Sequence, residues 1–153
     1  MRIYLDACAL NRLTDDQSQA RIHTEAAAVE HIFHLVWKQQ IEWSASTALA
    51  AELRRNPDSN KRQDALALLS HAGPLVSPSA STIQRAKLLE NAGYGAFDAL
   101  HLAFAEQVRA DALLTTDDRF IRQASRHVGN PVIPVLNPVD WLQEVRRWFP
   151  PNR

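Results

Sequence analysis

The acidic residues are the ones whose position in the chain could do chemistry. Asp6 closes the short apolar, β-favouring run Ile3-Tyr4-Leu5, and Asp117 closes the run Ala112-Leu113-Leu114-Thr115-Thr116. In parallel α/β sheets, ligands bind outside the carboxyl ends of the strands, so acids there come first. Each has a bland alternative: Asp6 as an Asx-turn residue, Asp117 as the cap of the next helix, where its charge suits the macrodipole. Asp98 is more informative, because it lies within Gly95-Ala96-Phe97-Asp98-Ala99-Leu100-His101-Leu102-Ala103-Phe104-Ala105, a stretch so apolar that most of its helix must be buried. A carboxylate there must find a cation, accept several hydrogen bonds or take up a proton. The free amides of a first helical turn would supply part of that without any ligand. Glu52 sits about one and a half turns into a helix opening at Ser46-Thr47. Its small neighbours Ala48, Ala50 and Ala51 let that helix approach the strand ends, although a lone glutamate there reads as solvated. A cluster of carboxylate oxygens alone suits Mg²⁺ or Mn²⁺, which keep several waters and bind through a few protein carboxylates.

Positioning such acids requires a particular arrangement of elements. Apolar β-favouring runs recur at Ile3 to Leu5, Ile41 to Ala45, Leu75-Val76, Ala112 to Thr115 and Val132 to Leu136, which makes five strand candidates. Helical patterns separate them at Arg21 to Gln39, Thr47 to Arg55, Lys61 to His71, Ser79 to Asn91, Ala96 to Arg109 and Asp118 to Arg126. The alternation predicts a three-layer α/β/α sandwich around a parallel sheet of about five strands. Pro134 suits an edge strand. Ser46 and Thr47 are candidate caps, Asn91-Ala92-Gly93 resembles a helix stop, and Asn137-Pro138 opens a last helix expected to end at Pro150-Pro151. The polar stretch Asn11 to Gln19 reads as a loop. Nothing resembles a linker, a repeat or a low-complexity tract, so residues 1–153 are expected to form one domain.

Bulk composition bounds the partners. At 153 residues and 46% hydrophobic, the chain can bury a real core. Seventeen basic and 17 acidic residues cancel, so no single-sign field announces a nucleic acid or a membrane. The arginine clusters at Arg54-Arg55, Lys61-Arg62, Arg119-Arg122-Arg126 and Arg146-Arg147 could still form a basic rim around an acidic pocket. The single cysteine, Cys8, excludes an internal disulfide framework and fits the cytoplasm. No signal peptide is expected, and no segment approaches the about 20 apolar residues of a spanning helix.

Taken in order, Tyr4-Leu5-Asp6-Ala7-Cys8, the Ser46-to-Glu52 helix start, Phe97-Asp98-Ala99-Leu100-His101-Leu102-Ala103 and Leu114-Thr115-Thr116-Asp117-Asp118-Arg119-Phe120 resemble the four acidic motifs of the PIN-domain family. The opening Asp6-Ala7-Cys8-Ala9-Leu10-Asn11-Arg12 resembles a bacterial, VapC-type toxin-like subgroup. The resemblance spans Arg2 to Leu136. It implies a PIN-like parallel sheet, a Mg²⁺ or Mn²⁺ site, endonucleolytic RNA cleavage, frequent homodimers, and often a toxin role opposed by a small antitoxin. On this reading Asp6 and Asp98 hold the principal ion, Asp117 completes its shell directly or through water, and Glu52 orients a water or a second ion. The metal would activate the attacking water and neutralise charge on the phosphoryl oxygens. Thr115 and Thr116 would donate to phosphate or hold Asp117. Asn11 and Arg12 would contact RNA phosphate or steady the acids, with a helix-end arginine as the plain alternative for Arg12. Asp118 falls where the family is variable.

Rival readings fare worse. His23, His31 and His34 lack the cysteine or carboxylate pattern of a zinc site. His101 lacks a nucleophile with triad logic, and Cys8 reads as a small buried residue. Trp37, Trp43, Trp141 and Trp148 read as core or interface anchors, an exposed Trp148-Phe149 end pointing to dimerisation. Four glycines and no Gly-rich turn argue against nucleotide binding. A phosphoacceptor receiver would need a pair of acids after strand one and a late lysine. The remaining alternative is a non-catalytic PIN module that binds RNA or a partner protein.

Overall fold

The computed structural model describes residues 1–149. Four short strands, β1 (Arg2–Leu5), β2 (Glu42–Ser44), β3 (Ala112–Leu114) and β4 (Val135–Leu136), form one sheet in the order β2-β1-β3-β4. Every pairing is parallel. The helices are α1 (Ala7–Asn11), α2 (Ala20–Trp37), α3 (Thr47–Arg54), α4 (Ser59–Leu69), α5 (Ala80–Ala92), α6 (Ala96–Gln107), α7 (Asp118–Ser125) and α8 (Pro138–Val145), with a 3₁₀ turn at Ser70–Ala72.

Side chains alternate across a strand, so the central strands feed two cores. Ile3, Leu5, Ala112 and Leu114 pack with Leu10, Val29, Ile32, Leu49, Leu53 and Trp141 on one face. Tyr4, Leu113 and Val135 pack with Leu89, Leu102, Phe104 and Phe120 on the other. Burial on both faces explains why the strands are continuous apolar runs and not alternating ones. Each fully buried leucine contributes about 2 kcal/mol of apolar transfer. The result is the expected α/β/α sandwich.

Three expectations are corrected. Leu75-Val76 is not a strand; Val76 makes a single parallel bridge to Ser46. Pro74 and Pro78 flank it closely and remove the donors that a longer ladder would need. The loop expected from Asn11 to Gln19 is present from residue 12, but a short helix, Ala7 to Asn11, that was not expected precedes it. The last helix stops at Val145; Pro150-Pro151, where its end was expected, lie outside the described residues. Pro134 does precede an edge strand, and its carbonyl accepts from Leu113 at 3.0 Å.

Candidate active site

The adjacent carboxyl ends of β1 and β3 deliver two acids to one edge of the sheet. Asp6 follows β1 directly; its amide donates to Leu114 O at 3.2 Å, prolonging the ladder. Its side chain is 1% exposed and caps α1, Oδ1 accepting from Ala9 N at 3.0 Å. Asp117 caps α7, Oδ1 accepting from Arg119 N at 2.9 Å and Phe120 N at 3.3 Å. Thr115, without exposure, uses its Oγ1 to accept from Asp117 N at 3.1 Å. Both acids therefore have the bland capping geometry, and that geometry is what aims them past the strand ends.

Helices supply the other two. Asp98 lies in the first turn of α6, whose N-cap is Gly95, without a side chain to cap it. Glu52 projects from α3, which packs on α6, and its Oε2 stands 2.9 Å from His101 Nε2. His101 is three residues after Asp98 and on the same helical face.

The charges show the convergence. Burial, then the negative charges of Asp6 and Asp117, and also that of Glu52, push the Asp98 carboxyl up to about 7. Burial pushes Asp6 up to about 6, moderated by Thr115 and the Ala9 amide. Cys8 proves half-buried beside the acids, not a core residue; burial, followed by the charges of Asp6, Glu52, Asp117 and Asp98, drives its thiol strongly toward the protonated form. One side chain thus feels all four acids.

The other candidates fall around this cluster differently. Arg12 is engaged within the protein, with Nε on Glu25 at 3.0 Å and Nη1 on Asp15 at 2.8 Å. Asn11 Oδ1 is buried without a hydrogen-bond partner. Thr116 is buried, and its carbonyl accepts from Arg21 at 3.1 Å. Asp118 points away into a bidentate pair with Arg21, both contacts 2.8 Å.

Two groups of residues went unrecognised in the sequence. Glu25, 2% exposed, gathers Arg12, Arg21 and, at 2.5 Å, the Nδ2 of the α8 cap Asn137. Its spacing was the signal, since Ala28, Val29 and Ile32 follow at i+3, i+4 and i+7 on the buried face of α2. His101 has no exposure and continues inward from Glu52, Nδ1 lying 2.7 Å from Tyr4 Oη, which lies 2.6 Å from Ser46 Oγ. The polar atoms of Tyr4 and His101 in otherwise apolar segments were the available sign. At the rim, the exposed Arg55 places its guanidinium 5.6 Å from the Phe97 ring centroid, and Phe97 stacks on His101.

Among the described residues no three carboxylate, imidazole or thiol groups form a ready-made cage for a metal ion. Repelling carboxylates splay, and a cation that keeps its waters needs only one or two of them. The carboxylate set therefore fits a hard divalent ion, and the neighbouring Cys8 thiol, held protonated, is a poor ligand for a thiophilic one.

Acids gathered at the carboxyl edge of a parallel sheet stand where α/β folds bind their ligands. The family model described as PIN domain matches residues 3–125, and the chain belongs to that family, whose members are in general nucleases that use divalent metal ions. Comparison with curated proteins and with solved structures finds no match. Among the described residues no helix is long and apolar enough to cross a membrane.

Proposed function

We propose that this chain is a Mg²⁺- or Mn²⁺-dependent endoribonuclease that hydrolyses RNA phosphodiester bonds at Asp6, Glu52, Asp98 and Asp117. The observation that carries this reading is positional: Asp6 and Asp117 leave the adjacent carboxyl ends of β1 and β3, and Asp98 in the first turn of α6 lies near enough that their charges add to burial in pushing its carboxyl up. When bound, the metal supplies an activated water and neutralises charge on the phosphoryl oxygens. Asp6, directly after β1, and Asp98, in the first turn of α6, would hold it, with Asp117, itself held by Thr115 and by two α7 amides, beside them. Glu52 would orient the attacking water and accept its proton. Arg55 at the rim meets RNA phosphate, whereas Arg12, already paired with Glu25 and Asp15, serves to steady α1. A toxin role opposed by an antitoxin and a homodimer are added by the family resemblance; a single domain over 1–153 and a cytoplasmic address rest on the chain's length and continuity and its lone cysteine.

The test is cleavage of a labelled single-stranded RNA pool with Mg²⁺, Mn²⁺ or EDTA, beside Asp6→Asn. Asparagine still caps a helix, so α1 survives while a negative charge is lost. Cutting by wild type with metal, lost in the variant or in EDTA, is expected. No cutting under any condition would sink the enzyme.

A further inference from the structure

Glu52 is a flexible side chain on a half-exposed helix, yet a built device holds it. Its Oε2 is 2.9 Å from His101 Nε2, and behind that imidazole two hydroxyls continue to the backbone: Tyr4 Oη at 2.7 Å from Nδ1, Ser46 Oγ at 2.6 Å from Tyr4, and Leu49 N donating to Ser46 Oγ at 3.1 Å. The chain links β1, α6 and the N-cap of α3. All three of its inner side chains are at most 1% exposed.

Donors and acceptors match in one direction. An ionised Glu52 only accepts, so Nε2 carries a proton toward it. Nδ1 then accepts from Tyr4, Tyr4 accepts from Ser46, and Ser46 accepts from the Leu49 amide, leaving no polar hydrogen without an acceptor. With Nδ1 donating instead, Tyr4 turns its proton to Ser46, and the hydroxyl hydrogen of Ser46 is left buried with no acceptor among the described residues. Such an orphan is rare and costly. Phe97, stacked on His101 at 23° and 6.1 Å between centroids, limits tilting of the ring.

We propose that His101 is the positioning residue of the acidic site: held as its Nε2–H tautomer by the Ser46–Tyr4 hydroxyl relay, it aims the Glu52 carboxylate at the other acids. Partners behind the groups that meet a metal commonly fix the orientation of those groups. The activity readout rests on the nuclease reading; the readout on the ring does not.

Imidazole ¹⁵N spectra of the metal-free protein should show His101 protonated at Nε2 and bare at Nδ1. Tyr4→Phe, which keeps the ring's shape and removes only the hydroxyl, should shift the Nδ1 resonance as that atom loses its donor, the Glu52 carboxylate alone then holding the proton on Nε2. His101→Leu should lower kcat on the order of 10- to 100-fold and raise the Mg²⁺ concentration needed for half-maximal rate, with the RNA KM unchanged. His101→Gln, which retains an N–H toward Glu52, should recover most of the loss. A wild-type ring carrying a proton on Nδ1, alone or together with Nε2, no spectral change in Tyr4→Phe, or a His101→Leu enzyme with wild-type kcat and Mg²⁺ dependence would each overturn the assignment. Should wild type cut no RNA, the nuclease reading falls, and the rise of Tm with Mg²⁺ decides instead: a smaller rise in His101→Leu supports the positioning role, an equal one removes it.

Discussion

Asp98 and Asp6 carry the same functional group in different settings. Asp6 is enclosed by the sheet edge and α1, so burial dominates its shift, whereas Asp98 is only partly buried and answers to burial together with Asp6 and Asp117. The sign for stability follows. The folded Asp98 holds its proton up to about 7, against an ordinary value of 3.8. The folded state is therefore favoured relative to the unfolded chain at low pH, and that advantage is lost as pH rises through about 7. Asp98→Asn removes the repulsion. Its metal-free Tm should match wild type near pH 3, below the ordinary carboxyl value, and exceed it near pH 8, on the order of 3 °C for each kcal/mol relieved, while cleavage disappears. Scanning calorimetry in EDTA at both pH values checks this. A variant less stable at high pH would mark Asp98 as a structural acid.

At the scale of elements, the site depends on α1, α2 and α8 being tied together behind it. Glu25 does this from inside α2, accepting from Arg12 beyond α1, from Arg21 and from the α8 cap Asn137. Arg12 would keep Asp15 and Arg21 would keep Asp118, while Asn137 would lose its acceptor, so Glu25→Ala should cost roughly 2 kcal/mol in urea unfolding. The same network predicts a negative result. In an inactive Asp98→Asn background, Arg12→Ala should leave RNA affinity unchanged, because its guanidinium is already satisfied by two carboxylates. A several-fold weaker Kd would return Arg12 to the phosphate.

The whole molecule carries no net charge, so long-range attraction cannot gather RNA. Several arginines are also paired within the protein: Arg2 with Glu42, Arg21 with Asp118 and Arg85 with Glu106. Binding must then come from a few rim contacts such as Arg55. For single-stranded RNA each neutralised phosphate contributes a slope of about −0.7 in log K against log salt. We expect a total near −2, and Arg55→Ala should reduce it by about 0.7; an unchanged slope places the phosphate elsewhere. Trp37 and Trp148, at 59% and 61% exposure, are surface residues, while Trp43 and Trp141 are core. The expected homodimer is checked by sedimentation, where Trp148→Ala should shift the population toward monomer if that end is its interface.

The acids were legible because strand ends and helix starts are local events. A short apolar run stopped by Asp6 or Asp117, and an aspartate in an apolar helix's first turn, follow from propensity and capping within a few residues. The layer order was legible for the same reason, through alternation of strands and helices. The partnerships were not. Leu75-Val76 looks like any strand run until its flanking prolines reduce it to one bridge. Glu25 meets Asn137 across 112 positions, and Tyr4 meets His101 across 97. Such contacts depend on the packing of whole elements against one another, and a burial pattern does not specify which polar atom each buried polar atom will meet. The sequence by itself therefore determined which carboxylates stand at the sheet's edge and on which elements. Only the tertiary structure decided that Arg12 is spent on Glu25 and that Glu52 is held by an imidazole, because desolvated polar groups must be satisfied by whatever the fold brings within reach.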